Sequence, residues 1–173
     1  GAGVIGSGWI ARFLLNGIDV FVYDPSKDAP KNVNKAIQNA EGAYAQLLTS
    51  DLPKRGTLTF ENSISDVSKS ADIIIEAVPE RLSVKQSVYD EIELSANNNV
   101  IIASSTSGIL PSDLQAKMKQ PERLIVAHPF NPVYLLPLVE IVGGSKTSKE
   151  LIERASSIFT NVGMFPLHIK KEI

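Results

Sequence analysis

The sequence runs to 173 residues, 43% of them apolar and 21% charged, the size and balance of one ordinary soluble globular domain with a substantial core. A net charge of −2, with no basic stripe, argues against a nucleic-acid surface, and no apolar run approaches the roughly 18 residues of a membrane span. The absence of cysteine removes disulfides, zinc–thiolate sites and thiol nucleophiles, leaves no metal site to expect, and fits a reducing cytoplasm.

The chain opens on Gly1-Ala2-Gly3-Val4-Ile5-Gly6, a glycine-rich loop of the kind that follows a strand, so a strand is expected ahead of Gly1. Trp9, Ile10, Phe13 and Leu14 then mark a helix packed on a sheet, stopped by Asn16-Gly17. Ile18 to Tyr23 alternates as a strand that ends at Asp24, and Pro25 blocks its continuation. Val33, Ile37, Ala40, Tyr44, Leu47 and Leu48 predict an amphipathic helix over 32–48. Leu58 to Phe60 reads as a short strand and Asp72 to Ala77 as one covered on both faces.

A helix through Leu82, Val88 and Ile92 leads to a buried strand at Val100 to Ala103. A short helix after Pro111 precedes the strand Leu124 to Ala127, and Leu138 to Val142 is apolar around one acid. Thr147 and Glu150 form a capping-box pattern for a helix that closes at Gly163, and Phe165 to Ile169 is a last strand. Strands alternating with helices predict an α/β domain, a doubly wound and mostly parallel sheet with helices on both faces.

Two places in this pattern carry chemistry. Gly1, Gly3 and Gly6 fit G-x-G-x-x-G, a turn that brings backbone close to a pyrophosphate at a helix N-terminus. Asp24 ends the next strand about twenty residues on, where a carboxylate accepts hydrogen bonds from ribose hydroxyls and repels a 2′-phosphate. With no arginine following closely, NAD is favoured over NADP; the plainer alternative is a glycine turn with a surface acid. His128, one of two histidines, ends an apolar strand and opens His128-Pro129-Phe130-Asn131-Pro132. Glu140 is the only acid in 133–142, and an unpaired carboxylate there is costly, so His128 is its economical partner. A histidine held by a carboxylate serves as a general base; the alternatives are a strand-end histidine bonded to backbone and a surface acid. Ser104-Ser105-Thr106-Ser107-Gly108 follows another buried strand, and could hold a substrate oxygen, contact a ribose, or simply cap the next helix. His168, on the last strand, is expected at the surface or in packing.

Together these segments resemble the NAD-binding domain of the 3-hydroxyacyl-CoA dehydrogenase family across essentially the whole chain. The resemblance implies a Rossmann-type fold in which 1–173 is a domain truncated at both ends, lacking its first strand and a C-terminal helical domain. It implies His128, Glu140 and Ser107 as catalytic residues. It carries cofactor contacts to Gly1, Ala2, Gly3, Val4, Ile5, Gly6, Asp24, Glu80, Lys85, Ser107 and Asn131. Four stretches look most like the family's carnitine-oxidising branch: 6–12, 104–108, 132–137 and 163–168. In the second of them Ser105 stands where the acyl-CoA branch has asparagine, and the segment after Asp24 is shorter than that branch's CoA-gripping arm. The expected activity is therefore NAD-dependent oxidation of L-carnitine to 3-dehydrocarnitine by a cytoplasmic homodimer. The family's C-terminal domain supplies the dimer interface, an asparagine and much of the substrate pocket, so 1–173 alone is expected to be inactive. Tyr134 either packs or faces the substrate's trimethylammonium group. The rival expectations are a 3-hydroxyacyl-CoA substrate, such as 3-hydroxybutyryl-CoA, and a non-catalytic, crystallin-like NAD-binding protein.

Overall fold

A computed structural model describes residues 1–172; Ile173, the last residue of the expected domain, lies outside the described residues. In chain order the elements are α1 (Val4–Leu15), β1 (Val20–Val22), α2 (Ala29–Leu47), β2 (Leu58–Phe60), α3 (Ile64–Ser68), β3 (Ile73–Glu76), α4 (Leu82–Ser95), β4 (Ile101–Ser104), α5 (Pro111–Gln115), β5 (Leu124–Pro129), β6 (Leu138–Gly143), α6 (Lys149–Asn161) and β7 (Phe165–Ile169). β1 and β2 pair in parallel; β3-β4-β5-β6-β7 form a second sheet in that order. All neighbours in it run parallel except β5 and β6, which are antiparallel. An apolar cavity of about 1320 Å³, lined by Val20 and Val22 on one side and Ile73 and Ile75 on the other, separates β1 from β3. The expected strand ahead of Gly1 concerns chain outside these residues.

The alternation of side chains along each strand creates the two faces. Ile101 and Ala103 of β4, with Ile125 and Ala127 of β5, join Trp9 and Phe13 of α1 and Leu151, Ala155 and Phe159 of α6. Their neighbours Ile102, Leu124 and Val126 point the other way, onto Tyr89 and Ile92 of α4 and Leu114 of α5. This is the doubly wound arrangement that near-continuous apolar strands demand. Helix α1 is buried at every residue from Gly6 to Leu15, because β4 and β5, α2 and the C-terminal end of α6 surround it. A third cluster joins its Ile10 and Leu14 to Val33, Ile37, Ala40 and Tyr44 of α2.

Four expectations are corrected. β1 covers only Val20–Val22, since Asp19 leaves the ladder to accept the Thr57 N–H (2.6 Å). α2 begins three residues early, at Ala29, where Pro30 occupies a first-turn position that needs no N–H donor. Helix α3 is an addition: Ser63 caps it by accepting the Asp66 N–H (3.1 Å), an S-x-x-D pattern visible in the sequence. The cap of α6 is Ser148, which accepts the Leu151 N–H (3.1 Å), and not Thr147. The Thr147 hydroxyl is committed elsewhere, donating to the Leu124 carbonyl (2.7 Å) and accepting the Gly144 N–H (2.9 Å).

Candidate active site

The parallel strands β3, β4 and β5 deliver their C-terminal ends to one edge of the domain, the edge where open α/β sheets bind ligands, and the chain leaving β1 reaches the glycine loop at Asp24. The glycine loop lies there too. A Cβ on Gly6 would stand 1.9 Å from the Gly1 carbonyl oxygen, and one on Gly1 would stand 2.7 Å from that of Ala77, so both positions exclude side chains. A Cβ on Gly3 meets nothing within 4 Å, and no side chain caps α1, which leaves its first-turn N–H groups available to a ligand. Asp24 closes the loop from β1: its Oδ2 accepts the Ala2 N–H (2.6 Å) and its Oδ1 the Ser26 N–H (2.8 Å). Val4 is exposed and Ile5 half-buried beside this turn. The arrangement fits a dinucleotide, with the phosphates over Gly3 and a ribose near Asp24.

On the other side of this edge, His128 and Glu140 are direct partners across the antiparallel β5–β6 pair, so their side chains share one face. His128 Nδ1 and Glu140 Oε2 are 2.9 Å apart, and each side chain is about one-third exposed (34% and 33%). Both line a cavity of about 250 Å³ with Thr106, Ser107 and Gly108. The structure thus gathers the three expected catalytic residues around one space. Asn131, two residues past β5, is exposed at the same end of the sheet.

Glu80 and Lys85 hold the loop that carries Ser107. Glu80 Oε1 accepts the N–H groups of Ser107 (2.9 Å) and Gly108 (3.1 Å) and the hydroxyl of Thr106. Burial pushes the Glu80 carboxyl up, but these donors and the nearby Lys85 ammonium outweigh it and hold the group below the usual glutamate range. Lys85 is buried and shared between Glu80 (3.3 Å) and Glu76 (2.8 Å).

Glu76 was missed by sequence reasoning, together with the cluster it organises. Its Oε1 accepts Lys85 and the Val78 N–H (2.9 Å); its Oε2 accepts the hydroxyls of Tyr89 and Ser104, both at 2.6 Å. All four side chains are buried. Burial, reinforced by the Glu76 charge, drives the Tyr89 phenol far above its ordinary range, so it remains a donor. The signal was available: Glu76 is the only acid within the apolar run 73–77, and the argument that found a partner for Glu140 applies to it. Tyr134 is half-buried and packs against the α1–α2 cluster, while His168 is exposed. Trp9 packs into the core as expected, and its indole N–H also reaches Ser105 Oγ (3.0 Å).

The family described as 3-hydroxyacyl-CoA dehydrogenase, NAD binding domain, matches residues 1–173. The chain is 54% identical to the L-carnitine dehydrogenase of Mesorhizobium japonicum, over all of this chain and 48% of that protein. It therefore spans about half the length of this curated relative. Among solved structures, the 5-formyl-3-hydroxy-2-methylpyridine 4-carboxylic acid 5-dehydrogenase, described as an NAD⁺-dependent dismutase, superimposes with a TM-score of 0.91 at 33% identity, covering 100% of this chain and 56% of that one. The 3-hydroxybutyryl-CoA dehydrogenase of Escherichia coli K12 gives 0.85 at 26%, covering 97% and 36%. Matched along its whole length, the chain belongs to the 3-hydroxyacyl-CoA dehydrogenase family, of which it is an NAD-binding domain.

Proposed function

We propose that this domain is the cofactor-binding half of an enzyme that oxidises the 3-hydroxyl of L-carnitine to 3-dehydrocarnitine. The observation that carries the chemistry is the 2.9 Å contact between His128 Nδ1 and Glu140 Oε2 in a cavity shared with Ser107. With Nδ1–H donating to the carboxylate, Nε2 is left as the proton acceptor, and it takes the hydroxyl proton of the substrate. The Glu140 charge stabilises the imidazolium that results. Ser107, exposed on the same cavity, donates its hydroxyl to the reacting oxygen and holds that oxygen beside His128. NAD⁺, when bound over the glycine turn, supplies the acceptor for the hydride that leaves the same carbon, so the alcohol becomes a ketone.

The choice of carnitine is supported by the 54% identity to a carnitine enzyme, against 26% for the butyryl-CoA enzyme named above. Ser105, in place of the acyl-CoA branch's asparagine, agrees with it. NADH formation by the full-length protein, followed at saturating NAD⁺, tests the reading. Turnover on L-carnitine well above that on 3-hydroxybutyryl-CoA is expected. The reverse ratio assigns an acyl-CoA substrate, and no NADH with any 3-hydroxy acid reduces the domain to nucleotide binding.

A further inference from the structure

Four stretches, 6–12, 104–108, 132–137 and 163–168, are far apart in the chain, yet they meet at one face of α1. A Cβ on Gly8 would stand 2.9 Å from that of Val133, so the helix and the segment after Asn131 are in direct contact. Trp9 binds Ser105, as described. Arg12 does most: its Nε donates to the Val133 carbonyl (3.1 Å) and one terminal nitrogen to that of Leu136 (3.3 Å). The other terminal nitrogen reaches the carbonyls of Val162 (3.5 Å) and Gly163 (3.4 Å).

Arg12 is 6% exposed, and among the described residues it makes no ion pair with a carboxylate. A buried guanidinium without a counter-ion is costly unless its hydrogen bonds are well met. Here backbone dipoles meet them. Val162 and Gly163 lie just past the last turn of α6, where the helix dipole places negative charge. One planar fork therefore ties three things together: the helix that begins at the cofactor turn, the end of α6, and the 132–137 segment. That segment is the whole path between Asn131 and the strand bearing Glu140. Tyr44 of α2 adds a second tether, its hydroxyl donating to the Tyr134 carbonyl.

From this geometry we infer that Arg12 is a positioning residue that sets the shape of the 132–137 segment, which joins the two strands bearing the reacting pair, and so governs binding of the hydroxy substrate without contacting it. The inference rests on the assignment of His128 and Glu140 as that pair. It goes further by naming the device that aligns their connection.

Full-length Arg12→Lys and Tyr44→Phe separate the possibilities. Lysine keeps the charge but loses the fork, and Tyr44→Phe is the milder change should the first fold poorly. The substrate KM should rise about 10-fold in Arg12→Lys and about 3-fold in Tyr44→Phe, the scale of one to two lost hydrogen bonds. NADH affinity, measured by fluorescence, should stay unchanged. The Leu135 and Leu136 amides, both donors to the Pro132 carbonyl, should exchange with solvent faster by similar factors. A KM that does not move, or NADH affinity lost in step with it, overturns the proposal. If no hydroxy acid is oxidised, the functional reading fails by itself. Amide exchange then decides the role of Arg12: local acceleration at 135–136 upholds the tether, and unaltered rates overturn it.

Discussion

Two carboxylates lie near the same edge of the sheet, and each meets its partner across neighbouring strands: Glu76 faces Ser104 on β3–β4, and Glu140 faces His128 on β5–β6. Glu76 is 2% exposed and receives four donors, enough to saturate both oxygens. Glu140 is one-third exposed, and among the described residues its carboxylate makes one bond, to the His128 ring. The difference separates an anchor from the pair proposed to react. A saturated, dry carboxylate fixes the strands and loops around it but has no path for a proton. A half-open pair can give and take one.

The sharpest way to break this comparison is at His128. His128→Gln in the full-length enzyme should lower turnover by about 10²–10⁴-fold, the usual worth of a positioned base. Thermal stability and NADH binding should hold, because the ring is about one-third exposed. A variant with near-normal turnover would remove the pair from the chemistry. Next in size is Glu76→Ala, which leaves the Lys85 ammonium buried without its nearest counter-charge and takes the acceptor from Tyr89 and Ser104. The expected cost is about 3–5 kcal/mol of unfolding free energy, read from urea titration. A loss below about 1 kcal/mol, the scale of a surface pair, would mean that Glu80 carries the ammonium alone and that the anchor is misidentified.

What the sequence revealed of these regions follows from how local each signal is. The glycine turn was legible from its spacing, Asp24 and His128 because each closes an apolar strand, and Glu140 because it is the lone acid inside one. Glu76 and Arg12 are equally conspicuous, lone charges in I-I-I-E-A and W-I-A-R-F-L-L, but their partners are backbone carbonyls or side chains of other elements. No spacing rule points to those. The antiparallel turn from β5 to β6 was half-legible. An apolar strand reads alike in either direction, yet the connection spans only Phe130 to Pro137, too short for a crossover of about a dozen residues. The cap of α6 misled because Thr147 and Ser148 are both good caps, and only the tertiary demand of the Leu124 carbonyl takes Thr147 away.

The smallest expected effect tests the ground between anchor and reacting pair. Glu80 belongs to neither type: its side chain is 46% exposed, yet three donors of the Thr106–Gly108 turn and the Lys85 ammonium converge on it. Burial raises its carboxyl and those partners more than reverse the rise, so its folded value lies below the unfolded one. A depressed carboxylate contributes stability that is present above the unfolded value and lost as pH falls through the folded one. The order of the Ser107 loop should therefore persist at neutral pH and decay only below the ordinary glutamate range. Solvent screening keeps the contribution under about 1 kcal/mol. The amide resonances of Ser107 and Gly108 should titrate there, ahead of any global unfolding, and the transition should vanish in Glu80→Gln. A midpoint at or above the ordinary range would mean that the turn does not hold the carboxylate, and that Ser107 owes its place beside His128 to the Glu76 anchor alone.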